Sequence, residues 1–300
     1  MGPLLFNIFI NDLFLIIEQS EICNFADDNT LYSCGENLTE IKNSLVHDTK
    51  NILKWFRLNS LKANPGKFQF IILGDKTNHK HILKINSINL EASDEVLLLG
   101  ILIDKKITFK QHIENLCRKA QYKLHALRRI RKFLTTDKAK VLGNAFIDSQ
   151  FNYVPLLWMF CRKTLYSKIE KIHHKTLQVI YQSNEDYCEL LLKSNTVSIH
   201  QRHLRFLMTE IYKSISHLNP EFMWPYFTHR DVPYNLRNGP VLNLPKTHSV
   251  YYGTNAVHFR GSLVWNALPA DVKSSNSLYE FKNKVKNVGN IDCGCLICRN

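Results

Sequence analysis

Apolar side chains recur at helical spacing over the first seventeen positions: Leu4, Leu5, Ile8, Phe9, Leu13 and Ile16-Ile17 follow Pro3, which suits a first helical turn. The segment is apolar nearly all round, so a buried helix is predicted. Ile22 to Phe25 and Thr30 to Tyr32 are β-prone pieces joined by Ala26-Asp27-Asp28-Asn29, whose polar side chains favour a turn, and they predict a hairpin. Helical spacing returns over 39–57 with Ile41, Leu45, Ile52, Leu53 and Trp55-Phe56, Thr39 being the predicted cap. Asn64-Pro65-Gly66 breaks the chain. Phe68 to Leu73 and Val96 to Ile103 are predicted strands, the second with Gly100 in its middle and Asp104-Lys105-Lys106 as the turn after it.

From Gln111 to Leu134 the pattern is that of one long amphipathic helix, with Ile113, Leu116-Cys117, Ala120, Leu124, Leu127, Ile130 and Leu134 on one stripe. Further helices are predicted over 139–147, 167–180 and 278–288. Five of the nine prolines fall between 220 and 245, which predicts irregular chain there. The fold class is therefore α+β, divided into 1–110, a basic helical segment 111–182 and a mixed, partly irregular region 183–300.

Composition narrows the class. Hydrophobic residues at 45%, aromatics at 11% and charged residues at 22% exclude a collagenous, coiled-coil or wholly disordered chain. The net charge of +13 predicts an anionic partner, nucleic acid or an acidic membrane surface. That charge is uneven: 1–110 holds 12 basic and 13 acidic side chains, 111–182 holds 14 and 4, and 183–300 holds 13 and 9. A run at net +10 repels itself unless something anionic lies against it. The apolar start has no basic residue before it and is interrupted by Asn7, Asn11 and Asp12, so neither a secretory signal nor a membrane span is expected. Eight scattered cysteines read as reduced thiols, and the chain is expected to be intracellular, in nucleus or cytoplasm, not secreted.

The candidate chemistry is sparse. Asp27 and Asp28 at a hairpin tip could hold Mg²⁺, since hard divalent ions take carboxylate oxygens, or could be ordinary turn residues. Cys293, Cys295 and Cys298 could give three thiolates to Zn²⁺, whereas a structural site wants four ligands, and no fourth lies nearby in the sequence. His79 and His81, His173 and His174, and His200 and His203 have no metal-site spacing and read as structural or surface residues.

The strings Gly2-Pro3-Leu4-Leu5-Phe6-Asn7-Ile8-Phe9-Ile10-Asn11-Asp12-Leu13 and Phe25-Ala26-Asp27-Asp28 resemble reverse transcriptases of non-LTR retrotransposons, the jockey-like group. The first resembles the downstream half of that family's template-and-nucleotide-positioning motif, the second its metal-binding hairpin. Trp55 to Lys67, with Asn64, resembles the next palm motif, and Leu98 to Asp104 the primer-grip hairpin, so four motifs stand in family order. Phe151 to Trp158, Tyr234 to Asn238 and Phe259 to Pro269 are similar to the region downstream of the polymerase.

The resemblance implies a partial polymerase palm, a helical thumb-like segment and an RNA-directed DNA polymerase using two-metal nucleotidyl transfer. It makes Asp27 the principal Mg²⁺ ligand and Asp28 the weaker one, with Lys67 neutralising or protonating the leaving pyrophosphate; on the residues alone Lys67 reads equally as a solvated lysine. Leu99, Gly100 and Ile101 become the primer grip. Arg118, Lys119, Lys123, Arg128, Arg129, Arg131 and Lys132 would meet the phosphates of an RNA template and DNA primer. The family's first catalytic Asp and its fingers lie upstream of the Gly2-Pro3 string, so a truncated fragment, inactive alone, is expected, with dNTP bound only if that segment is supplied. The competing expectations are a non-catalytic nucleic-acid-binding protein and a degenerate reading frame.

Overall fold

In the computed structural model, which describes residues 1–74, 79–231, 240–249, 252–289, 291 and 293–294, the first helix forms as α1 (Gly2–Ile10) and continues as a 3-10 helix over Asn11–Ile16. Its burial departs from expectation. Ile10 and Leu13 are buried, whereas Leu4, Leu5, Ile8 and Phe9 are 64, 58, 63 and 41% exposed. Helix α2 (Leu38–Leu58) supplies the facing side chains Ile52, Trp55 and Phe56, and one neighbour covers only one stripe of a helix that is apolar all round.

The chain divides into two compact units, Met1–Ile107 and Thr108–Asn300. In the first, β1 (Glu21–Phe25) and β2 (Asp28–Tyr32) pair antiparallel, with Glu21 opposite Tyr32 and Phe25 opposite Asp28. The turn is thus two residues, Ala26-Asp27, and not four. The cap of α2 is Asn37, whose Oδ1 accepts the Thr39 N–H at 3.0 Å, so Thr39 lies inside the helix.

A second small core joins Phe70, Leu83 and Ile85 to Leu45 and Leu53 of α2. It is built on an unforeseen hairpin, β3 (Ile82–Ile85) and β4 (Ile88–Glu91), reversing at Asn86-Ser87. Phe68 to Leu73, expected as a strand, makes no ladder, because the Gln69 carboxamide takes both the N–H and the carbonyl of Leu97 (2.8 and 3.1 Å). The single strand that the apolar run alone predicts over 96–103 is a hairpin, β5 (Glu95–Leu98) and β6 (Ile101–Asp104), the form that the family resemblance implied there. Leu99 and Gly100 both take positive φ (46° and 82°), the twist that suits a two-residue hairpin turn.

The second unit is helical. Helix α3 (Lys110–Ile130) buries Ile113, Leu116, Cys117, Ala120, Leu124 and Leu127, close to the predicted stripe, and continues as a 3-10 turn over Arg131–Phe133. Helix α4 (Thr136–Leu142) passes into a π-helical segment, Gly143–Asp148, and then α5 (Ser149–Phe151). A Cβ on Gly143 would come within 2.8 Å of Ile180 Cδ1 on α6 (Lys163–Tyr181), so glycine permits this close approach. Helix α7 (Tyr187–Ser194) opens with a capping box between Asp186 and Glu189, and α8 (Ile199–Ile215) packs on α6. Helices α9 (Val257–Ala267), α10 (Ala270–Lys273) and α11 (Leu278–Asn287) complete the unit, with Phe281 stacked on Tyr212 and Trp265.

The proline-rich stretch is irregular as predicted over its described part, a 3-10 helix at Glu221–Tyr226 and a bridge between His229 and Leu242, while Tyr234 to Asn238 lie outside the described residues. Helices with antiparallel hairpins make the fold α+β. No helix among the described residues is long and apolar enough to cross a membrane.

Candidate active site and nucleic-acid interface

The hairpin of the first unit is fixed at its base and free at its tip. Ile22 and Leu31, opposite one another, pack on the cluster of Ile10, Leu13 and Ile52. The chain enters β1 through Glu18-Gln19-Ser20, and this entry is held by a residue that sequence reasoning passed over. Asp48 of α2 is fully buried; its Oδ1 accepts the Glu18 N–H (3.1 Å) and its Oδ2 the N–H groups of Gln19 (3.0 Å) and Ser20 (2.7 Å) and the Ser20 hydroxyl (2.6 Å). Burial works to raise its pKa, but the Ser20 hydroxyl and the three amides together hold it below the ordinary carboxylate value. A signal was present in the sequence: Asp48 falls on the stripe of Leu45 and Ile52, where a carboxylate needs internal donors.

At the far end Asp27 occupies the turn and Asp28 opens β2, and both are exposed, with no cation paired to either among the described residues. Asp28 shares the outer face with Phe25, its cross-strand partner. On the inner face Asn24 and Asn29 stand opposite each other, and both Asn24 side-chain polar atoms and Asn29 Oδ1 are buried with no partner among the described residues. The carboxylates match a hard divalent ion in kind, since Mg²⁺ commonly takes one or two carboxylates and fills its octahedron with water and phosphate oxygens. Among the described residues no group of three or more His, Cys, Asp or Glu side chains is placed to hold a metal ion.

Lys67 ends a 3-10 turn, Pro65–Lys67, capped by Asn64 Oδ1 on the Gly66 N–H (3.1 Å); it is exposed, and no ion pair joins it to Asp27 or Asp28. Leu99 and Gly100 form the tip of the β5–β6 hairpin, and Ile101 beneath them is 3% exposed.

In the second unit, Arg118, Lys119, Arg128, Arg129 and Lys132 are exposed and Lys123 is half-buried. Arg118, Tyr122, His125 and Arg129 follow one another at helical spacing on the line opposite the buried stripe, with Tyr122 70% exposed. Arg131 differs from this group. Its guanidinium donates to the carbonyls of Val179 (3.1 Å), Ile180 (3.0 and 2.7 Å) and Leu134 (2.7 Å), and so closes the C-terminus of α6.

Cys293 is buried with Sγ 3.4 Å from His200 Nε2, while Cys295 and Cys298 lie outside the described residues. His173 and His203 are interior. Arg202 donates to His173 Nε2 (2.8 Å), which leaves the proton on Nδ1 facing the Tyr187 hydroxyl (2.7 Å), itself bonded to Glu170. His203 Nε2 donates to the Phe151 carbonyl (2.9 Å) and its Nδ1 accepts from Tyr166. Burial first, and neighbouring positive groups second, push both imidazoles down to about 3, so they are neutral structural groups.

Comparison with known proteins bears on the first unit and beyond. Residues 1–143 match the family model for reverse transcriptase (RNA-dependent DNA polymerase). The probable RNA-directed DNA polymerase from transposon BS of Drosophila melanogaster is 23% identical over 195 residues, covering 60% of this chain and 21% of that protein. The chain thus spans about a fifth of the length of that relative. No solved structure matches the chain.

Proposed function

We propose, for a chain whose residues 1–143 match the reverse transcriptase family model and which is similar to a transposon RNA-directed DNA polymerase, that it works as part of an RNA-directed DNA polymerase: the β1–β2 tip faces the reacting phosphates and α3 lies along a template-primer duplex. The observation that carries this reading is the hairpin. Two adjacent carboxylates stand exposed at its tip with no cation paired to them among the described residues, while its base is locked into the core by Asp48. A Mg²⁺ ion held there would supply charge neutralisation at the phosphates. Asp27 and Asp28 would hold that ion, and Lys67 would neutralise or protonate the pyrophosphate. Leu99 and Gly100 would present backbone to the primer strand.

The 300-residue chain is expected to bind template-primer and not to extend it, because two carboxylates on a solvated turn hold a divalent ion weakly and two-metal transfer needs a further bridging carboxylate. The test is primer extension on an RNA template with Mg²⁺ and dNTPs. Sustained incorporation that Asp27→Ala abolishes would overturn the inactivity and keep the site; incorporation indifferent to Asp27→Ala would overturn the site.

A second reading, non-catalytic nucleic-acid binding, is favoured by the exposed cations of α3. Each cation that meets a duplex phosphate contributes about 0.9 to the salt slope, so Arg128→Gln/Arg129→Gln lowers it by about 1.8. An unchanged slope would move the binding face away from α3.

A further inference from the structure

The region beyond α7 has no part in the reading above, yet it holds a concentrated basic feature. Helices α8 and α11 pack side by side, and between them runs a groove of about 340 Å³ lined by Arg202, Arg205, Lys213, Lys282 and Lys286, with Glu210 the one acid. Glu210 is taken by Lys213 (2.7 Å), and Arg202 is held at one end by Asp148 (2.6 Å) and His173 (2.8 Å). Three cations remain in surplus. Lys282 and Lys286 are exposed, stand one helical turn apart on α11, and have no acidic partner among the described residues. Arg205 is half-buried; one Nη donates to the Lys286 carbonyl (2.9 Å), and its Nε is buried without an acceptor among the described residues.

A guanidinium pulled from water with a donor unmet, beside two unpaired ammonium groups, stands in mutual repulsion that an anion relieves. The cations of α8 span residues 202 to 213, about 16 Å along the axis, which is longer than one small anion can engage. Phe206 lies among them and is 43% exposed. An aromatic face set into a row of cations is the arrangement that binds single strands, where phosphates meet the charges and a base stacks on the ring. An acidic peptide would match the charges and leave the ring unexplained.

We propose that the groove between α8 and α11 binds single-stranded nucleic acid, with Arg205, Lys282 and Lys286 on its phosphates and Phe206 under a base. This site is separate from the α3 face, since α6 packs on both α3 and α8. It needs none of the carboxylates of the first unit, so a chain that extends no primer is still expected to bind here.

The experiment titrates the full chain with a fluorescein-labelled oligouridine of about 12 nucleotides, long enough to overrun the groove at both ends, following anisotropy between roughly 50 and 300 mM salt. On a single strand, each phosphate left without its cation takes about 0.7 off the log-log slope, so Lys282→Gln/Lys286→Gln is expected to lower it by about 1.4 and weaken binding about 25-fold at roughly 0.1 M salt. Phe206→Ala is expected to weaken binding about tenfold with the slope retained, because stacking releases no counterions. Lys282→Arg/Lys286→Arg keeps the charge and is expected to bind as the parent does, which separates a missing charge from a damaged fold. Parent-like affinity and slope in both Lys282→Gln/Lys286→Gln and Phe206→Ala would overturn the proposal. So would an effect of these substitutions on a poly-glutamate peptide or on phosphatidylserine vesicles but not on the oligonucleotide.

Discussion

Replacing Asp48 by Asn keeps the shape of the side chain and removes its charge from beneath the entry to β1. The carboxylate receives four hydrogen bonds, three on Oδ2 and one on Oδ1. An Asn turned to keep its oxygen at the Oδ2 position loses the Glu18 bond, worth roughly 1.5 kcal/mol for a charged acceptor, and weakens the other three by about 0.5 kcal/mol each. The expected loss is about 3 kcal/mol. Exchange of the Glu18, Gln19 and Ser20 amides, followed by mass spectrometry at about pH 7, should therefore speed up by about a hundredfold.

The pH dependence gives a second check. A carboxylate held below its unfolded value of about 3.9 stabilises the fold at higher pH, and this contribution disappears as pH falls through the lower folded value. The gap between the parent and Asp48→Asn should be constant above about pH 5 and narrow below about pH 4. Amide exchange within about threefold of the parent, or a gap undiminished at about pH 3, would refute the anchor.

Arg131→Gln should lower the stability of the second unit by about 2 kcal/mol in urea while leaving the salt slope of duplex binding unchanged, because its guanidinium closes α6; Arg129→Gln should do the reverse. His173 and His203, held at about 3, stay neutral while the unfolded chain takes protons below about 6.5, so stability falls as pH drops from about 6.5 toward 3, by up to about 1.4 kcal/mol per pH unit for each. Urea midpoints at about pH 7, 5.5 and 4.5 measure this, and His203→Gln should reduce the slope; a flat profile in the parent contradicts it. Leu99 holds a left-handed conformation that costs a non-glycine residue about 1 kcal/mol, so Leu99→Gly should raise the urea midpoint of the first unit and Gly100→Ala lower it.

The long periodic elements were legible in the sequence because their stripes are wide. The buried line of α3 runs through Ile113, Leu116, Ala120, Leu124 and Leu127 as the spacing requires, and the β1–β2 hairpin sits around its polar turn. What escaped was set by single polar side chains reaching across the chain. Gln69 replaces a ladder by binding Leu97, which no local pattern announces, and the reversal at Leu99-Gly100 was hidden from the local pattern inside a run of strand formers, so that only the family resemblance implied it. The candidate carboxylates Asp27 and Asp28 were visible as a turn, and their exposure agrees with it. Asp48 was marked by its place on the stripe of Leu45 and Ile52, but its partners, amides about thirty residues earlier, were not, and the α8–α11 groove was hidden because it joins side chains some eighty apart.

The exposed side of α1 has a practical consequence for any solution measurement. Leu4, Leu5, Ile8 and Phe9, together with Leu15 at 81% exposure, offer the first unit an oily side that invites chains to gather. That gathering tightens as salt is added, whereas phosphate contacts loosen. Opposite responses to salt therefore allow one titration to separate a chain sticking to itself from a chain holding a nucleic acid.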